Sequence, residues 1–224
     1  MRRKIDMRGV GEKRRAQKVY QTLRKRYPHA KIALRYGNAM QLLVAVMLSA
    51  QCTDKKVNEV TASLFRKYRS VDDFANADPR TFEREIRSTG FYRAKARNII
   101  AAAQMIRREF GGKIPKTMED LTRLPGVARK TANVVLGNAY GIVEGIAVDT
   151  HVRRLAQRLG FSAHDDPEKI ERDLMELFPK SQWFPLTYTL IEHGRAICKA
   201  PTPRCEECPV ARLCPTGRKR LHLA

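Results

Sequence analysis

Four cysteines, Cys198, Cys205, Cys208 and Cys214, stand in one short, proline-punctuated segment with the spacing Cys-x6-Cys-x2-Cys-x5-Cys. A segment this irregular needs something to hold it, and four thiolates are the ligand set of an iron–sulfur cube or a structural zinc. Zinc sites more often use two separated Cys-x2-Cys pairs, and only one such pair is present. A contiguous loop with unequal gaps wraps a bulky group more naturally than one small ion, so the spacing favours a [4Fe–4S] cluster. Disulfides are the competing reading, and nothing marks the chain as secreted. The fifth cysteine, Cys52, is read as a small buried residue rather than a ligand.

Charge narrows the partner. The chain has 44 Lys and Arg against 23 Asp and Glu, a formal net charge of +21. Such an excess repels itself in a compact state, and a polyanion offsets that repulsion. The basic residues are densest at the start, where Arg2, Arg3, Lys4, Arg8, Lys13, Arg14, Arg15 and Lys18 face only Asp6 and Glu12. Ribosomal or membrane-surface roles fit the same charge, so charge alone says polyanion. The longest apolar run, Leu42 to Leu48, falls far short of the roughly 20 residues that span a bilayer. The expectation is a cytoplasmic, nucleoid-associated protein with no membrane partner.

Helical signals dominate and strand alternation is absent, so the expected fold class is all-α. Asp78-Pro79 and Asp166-Pro167 each read as an N-cap followed by proline at the first helical position. Thr117 opens another helix with Glu119 and Asp120 in its first turn. Gln41 to Ala50 is apolar nearly all round, the mark of a helix buried in a bundle. Gly90-Phe91-Tyr92-Arg93-Ala94-Lys95 and Gly126-Val127-Ala128-Arg129-Lys130 echo one another with a one-residue slip. Each is a glycine turn opening a basic, then apolar, helix.

Leu121 to Leu136 reads as helix, tight turn, helix. Leu121, Leu124, Val127, Val134 and Val135 would pack the pair together, and Pro125-Gly126 would make the turn. The second helix then begins with backbone N–H groups suited to a phosphate, with Arg129 adding charge beside them. Contact of this kind positions a protein on nucleic acid without reading sequence.

With these motifs assembled, the chain resembles the endonuclease III DNA glycosylases of the helix-hairpin-helix superfamily. The resemblance runs from about Tyr20 to the last cysteine. It is carried, in order, by Leu48-Ser-Ala-Gln-Cys-Thr-Asp54, the hairpin, Val148-Asp-Thr-His-Val-Arg153, His193-Gly-Arg195 and the cysteine loop. It implies the helix-hairpin-helix DNA glycosylase fold, two helical domains with a DNA-binding cleft between them, and a [4Fe–4S] cluster on the four cysteines. Residues 34–145 would form a six-helix domain containing the hairpin. Residues 1–33 and 146–224 would form a discontinuous cluster domain, with a basic N-terminal extension over about 1–12.

The resemblance also implies a bifunctional glycosylase/AP lyase for oxidised or ring-saturated pyrimidines, acting in base excision repair. Its partner would be double-stranded DNA carrying damaged pyrimidines or abasic sites, and a monomer is expected. Lys130 matches the family's catalytic lysine and sits in the first helical turn, where the positive end of the dipole opposes further positive charge. From the residues alone, a phosphate-binding lysine is the competing reading. Asp149 matches the catalytic aspartate, while its place before Thr150-His-Val also suits a helix N-cap. Gln51 resembles the residue that fills the gap left by a flipped nucleotide, and Phe91 stands where a wedge beside the estranged base is expected. DNA contacts are further expected from Pro125, Gly126, Val127, Ala128, Arg129, Lys199 and Arg204, and a damage pocket from Asp54 and His151.

The chain departs from the family pattern in three places. Ala128 replaces a common glycine, Phe91 replaces the expected leucine, and the loop Gly141 to Gly145 is one residue longer. Two rival functions share the hairpin and cluster. A non-catalytic DNA-binding protein would use both as scaffold, whereas an adenine-mismatch glycosylase carries a glutamate where Ala45 stands here.

Overall fold

Side-chain caps begin most of the helices. Asn38, Thr53, Ser70, Asp78, Thr117, Asp149 and Asp166 each accept a hydrogen bond from a backbone N–H in the first turn of the adjoining helix. Each bond satisfies a donor that the helix itself leaves orphaned. Ser70 and Asp73 close a reciprocal capping box, and Pro79 and Pro167 occupy first-turn positions that need no N–H donor.

A computed structural model describes residues 7–223. Arg2, Arg3 and Lys4 of the basic extension therefore lie outside the described residues. Among the described residues twelve α-helices succeed one another: α1 (Met7–Arg26), α2 (Ala39–Leu48), α3 (Asp54–Lys67), α4 (Val71–Ala75), α5 (Pro79–Ile86), α6 (Tyr92–Glu109), α7 (Met118–Arg123), α8 (Arg129–Val135), α9 (Thr150–Arg158), α10 (Pro167–Leu177), α11 (Lys180–Ala196) and α12 (Pro215–Arg220). No strand occurs among the described residues, and the all-α expectation holds. No helix among them is long and apolar enough to cross a membrane.

The chain divides into two compact units. One is Ile32–Glu144; the other joins the described residues up to Lys31 to Gly145 and onward. In the first, α2 is buried along its length from Met40 to Leu48, as its unbroken apolar run requires. Helices α3, α6 and α8 pack around it. Tyr68, Phe74 and Phe82 form an aromatic cluster at centroid distances of 5.2 to 6.1 Å. Burying each such ring contributes about 2 kcal/mol.

In the second unit α1 lies against α10 and α11. Val19 and Leu23 of α1 share a core with Leu155 of α9, Leu174 of α10 and Leu190 of α11. Arg15 fastens α1 further: its Nη1 donates to Leu159 O at 2.6 Å and Leu213 O at 3.1 Å, and its Nη2 to Gly160 O at 3.0 Å. This unit therefore closes over residues far apart in sequence, whereas the first is continuous.

Candidate active site and cysteine loop

The hairpin forms as its sequence requires. Leu124 is extended, Val127 N donates to Leu124 O at 3.1 Å, and Gly126 adopts φ +77 between them. A Cβ on Gly126 would meet Asn98 at 2.9 Å and Met47 at 3.0 Å, so the turn sits directly on α6 and α2. Leu121, Leu124, Val127, Val134 and Val135 are all buried. Pro125 is half-buried, while Gly126 and Ala128 are exposed. Ala128 is the N-cap of α8 in extended backbone and supplies no side-chain cap.

Lys130 occupies the second position of α8 and is half-buried, next to half-buried Arg129. Helix α8 is α-helical to Val135 and then widens into a π-helical turn, Leu136–Tyr140. Asn138 Nδ2 donates to Val134 O at 2.8 Å across that turn, and Gly141, at φ +67, ends it.

Asp149 lies in the other unit. It is the N-cap of α9, and its Oδ1 accepts from Val152 N at 2.8 Å. The capping role is therefore real and fixes the half-buried carboxylate. His151, in the first turn of α9, is half-buried, with its Nδ1 3.2 Å from Arg154 Nη2. Gly194 makes room for it, since a Cβ there would meet His151 Nδ1 at 2.9 Å. Asp54 opens α3 just after its cap Thr53, half-buried.

Gln51 and Phe91 share two properties. Both are exposed and both adopt left-handed backbone, at φ 52 and φ 47. That conformation costs an L-residue about 1 to 2 kcal/mol, so the surroundings must impose it. Phe91 is 65% exposed, the one large hydrophobic residue so placed among the described residues. Both residues line a cavity of 170 Å³ together with Met47, Ala50, Asn98 and Gly126. Loop, helix start and hairpin turn thus converge within one unit. Gly90 and Gly126, the two glycines of the sequence echo, both take positive φ, at 71 and 77.

Lys95 was not singled out by sequence reasoning. It is 6% exposed, and its Nζ donates to Leu48 O and Thr89 O, each at 2.8 Å. Burial pushes its pKa down, while the neighbouring Cys52 opposes that shift. Cys52 itself, expected to be buried, is half-buried.

The cysteine loop is built mostly of short 3-10 turns, Cys205–Glu207 and Ala211–Leu213. Cys205 and Cys214 are buried, Cys198 and Cys208 half-buried, and none is in a disulfide. Burial raises the Cys205 and Cys214 pKa values and pushes Cys208 up to about 11, and the neighbouring thiols add to it. All four sulfurs thus lie within electrostatic reach of one another. Among the described residues no three His, Cys, Asp or Glu side chains converge as a site for a single metal ion.

Side chains that the sequence reading passed over hold this loop. Arg158 donates from Nη1 to Lys199 O at 2.7 Å and from Nη2 to Pro201 O at 2.8 Å, with Nη1 3.5 Å from Cys198 Sγ. Arg154 donates to Cys198 O at 3.1 Å. His193 is buried, which pushes its pKa down to about 4. Its Nδ1 is 3.2 Å from the Tyr27 hydroxyl and its Nε2 3.5 Å from Cys208 Sγ. A neutral ring that accepts from Tyr27 presents its N–H to the sulfur. The i, i+4 spacing of Arg154 and Arg158 was the one available signal, since it puts both on one face of α9. Lys199 and Arg204 are exposed; Arg204 pairs with Glu207 at 3.1 Å and also donates to Ala196 O.

Residues 44–180 match the HhH-GPD superfamily of base excision DNA repair proteins. The chain is 51% identical to endonuclease III of Synechocystis over 93% of its own length and 95% of that protein's. It is 46% identical to endonuclease III of Bacillus subtilis, covering 87% of this chain and 89% of that one. A solved structure of a trapped endonuclease III–DNA covalent intermediate, an estranged-adenine complex, is similar with TM-score 0.89 and 43% identity. That likeness covers 93% of this chain and 98% of the other.

Proposed function

The chain belongs to the endonuclease III family of the HhH-GPD superfamily, and from that we propose that it is a bifunctional DNA glycosylase and AP lyase for oxidised or ring-saturated pyrimidines, with Lys130 as nucleophile and Asp149 as its carboxylate partner. The observation that carries the reading is the hairpin. Its second helix starts without a side-chain cap, has Arg129 and Lys130 in its first turn, and comes after a turn that only a residue tolerant of φ +77 can make.

The chemistry is that of an amine nucleophile. The Lys130 nitrogen lone pair forms a bond to the sugar C1′ as the bond from C1′ to the base breaks. The base leaves with that electron pair and gains a proton. The nitrogen loses a proton, its lone pair breaks the C1′–O4′ bond as O4′ takes up a proton to become a hydroxyl, and an iminium is left on the opened sugar. The iminium acidifies the C2′ proton; its removal expels the 3′ phosphate and cuts the strand. Water then releases Lys130. Asp149 would stabilise the positive charge on the sugar and accept a proton, and its capping bond to Val152 N keeps the carboxylate in one orientation.

DNA is the partner, met by the backbone of Pro125 to Ala128 and by Arg129, Lys199 and Arg204. Gln51 and Phe91 would hold the duplex open, and Asp54 and His151 would line the pocket. Cys198, Cys205, Cys208 and Cys214 would hold a [4Fe–4S] cluster: the donor set is four unpaired thiols in one loop, within mutual electrostatic reach. When bound, it supplies four metal–sulfur links that fix the loop carrying Lys199 and Arg204. A monomer suffices for all of these roles.

The test is borohydride trapping on a duplex carrying thymine glycol, run beside Lys130→Ala and Asp149→Asn. A covalent adduct with the parent and none with Lys130→Ala is expected. An undiminished adduct with Lys130→Ala would reject Lys130 as the nucleophile. Trapping on an abasic site but not on thymine glycol would keep the lyase and reject the pyrimidine assignment.

A further inference from the structure

A lysine buried without a carboxylate needs a reason. Lys95 is 6% exposed, and no acidic side chain faces its ammonium among the described residues. Its two acceptors are instead the last carbonyls of two separate helical segments. Leu48 ends α2, and Thr89 ends the 3-10 turn Arg87–Thr89. Helix ends leave such carbonyls orphaned and carry partial negative charge, so one ammonium satisfies both at once.

The two carbonyls stand just ahead of the two strained residues. Three residues beyond Leu48 lies Gln51, and two residues beyond Thr89 lies Phe91, both in left-handed backbone. Each turn has a short backbone bond of its own, Cys52 N to Ser49 O at 3.1 Å and Gly90 N to Arg87 O at 3.3 Å, but neither bond joins one turn to the other. Phe91 caps α6 without a side-chain bond, and its carbonyl accepts from the Lys95 backbone N–H at 3.0 Å. The same lysine therefore touches the Phe91 turn through its main chain and ties the ends of both segments through its side chain. It also lines the 170 Å³ cavity with Gln51, Phe91 and the hairpin's Gly126.

We infer that Lys95 is a positioning residue for base extrusion, holding Gln51 and Phe91 as one rigid pair of probes. This rests on the proposed DNA-contacting role of those two residues and adds the device that couples them. Without the tie, each exposed side chain would sample the more favourable right-handed backbone independently, and the pair would no longer enter the duplex together.

The experiment uses the full-length protein, as parent, Lys95→Met, Lys95→Arg and Gln51→Ala/Phe91→Ala. Two duplexes are compared under single turnover, one with thymine glycol and one with an abasic site. Each carries 2-aminopurine next to the lesion to report unstacking. Lys95→Met is expected to slow both thymine glycol excision and the aminopurine rise about tenfold, and abasic-site trapping no more than about threefold, because a missing base needs little extrusion. Lys95→Arg, which retains charged donors, should recover most of the difference. In the Gln51→Ala/Phe91→Ala background Lys95→Met should slow extrusion no further.

Equal losses on both duplexes, tracking a fall in helix content, would make Lys95 a plain structural residue and overturn the inference. So would parental kinetics in Lys95→Met. If Lys95→Met does not fold, Lys95→Gln keeps amide donors without the charge, and the same graded pattern is required of it. Parental extrusion in Gln51→Ala/Phe91→Ala would instead remove the reading of those two residues. Loss there with none in Lys95→Met would remove Lys95 alone.

Discussion

The hairpin and the cysteine loop, both proposed to meet DNA, are held in opposite ways. The hairpin is held from below by apolar packing: Leu121, Leu124, Val127 and Val135 are buried, and Gly126 rests against Asn98 and Met47. The cysteine loop has little regular structure of its own. It hangs on arginine bonds to its carbonyls, from Arg154 and Arg158 on α9 and from Arg15 on α1, and the proposed cluster would add four more links. The hairpin is thus a product of the fold, while the loop, on the proposed reading, depends also on a cluster bound to its thiols. Their responses to perturbation should differ accordingly.

The largest separation is expected from removing the proposed cluster, by replacing the four cysteines with serine or by oxidative loss. The loop carrying Lys199 and Arg204 should lose protection from hydrogen exchange, while Ile32–Glu144 keeps it. With two phosphate contacts gone, the slope of log affinity against log salt should fall by about 2. Retained loop protection and an unchanged slope would show the loop to be self-supporting, and the contrast would collapse.

The converse perturbation is Gly126→Ala. The new Cβ would sit 2.9 Å from the Asn98 side chain and 3.0 Å from Met47, at φ +77. The strain should destabilise the protein by about 1 to 3 kcal/mol and weaken DNA binding, with the cysteine loop untouched. A melting temperature within error of the parent would show that the turn yields more easily than its packing implies. On the loop side Arg158→Met is milder. It removes the bonds to Lys199 O and Pro201 O, which are largely exposed, so about 1 kcal/mol is expected, together with faster bleaching of cluster absorbance. Unaltered bleaching would assign the loop's order to the thiols alone.

The two regions were also unequally legible in the sequence. The hairpin could be read residue by residue, because its signals are local: a Leu-Pro-Gly turn, apolar spacing on both arms, and glycine where positive φ is needed. The caps at Asp78, Thr117, Asp149 and Asp166 were legible for the same reason. The cysteine spacing suggests a metal centre but says nothing of the side chains around the loop. Arg15 reaches Leu213 across 198 residues and Tyr27 reaches His193 across 166, and no pattern of spacing encodes such pairs. Lys95 was hidden differently. In a chain with 44 Lys and Arg a lysine on an amphipathic helix reads as solvated, and only the positions of two carbonyls reveal it as buried. The π-helical turn at Leu136–Tyr140 likewise left no mark, since its residues suit an α-helix equally well.

The smallest expected effect is also the sharpest test of what the hairpin is for. Helix α8 begins at Ala128 without a side-chain cap, although α2, α3, α4, α5, α7, α9 and α10 all have one. Ala128 already lies in extended backbone at φ −90 and ψ 169, the conformation a capping serine adopts. Ala128→Ser should therefore stabilise the protein, by about 0.5 to 1 kcal/mol, as its hydroxyl accepts from a first-turn N–H. Those same N–H groups are the ones proposed to meet a phosphate, so a hydroxyl that engages one competes with the DNA. Stability should rise while affinity for an abasic-site duplex falls about threefold, each measured on the same preparation. If stability and affinity rose together, the uncapped start of α8 would not be reserved for phosphate, and the hairpin would have to meet DNA through Arg129 and its neighbouring side chains instead.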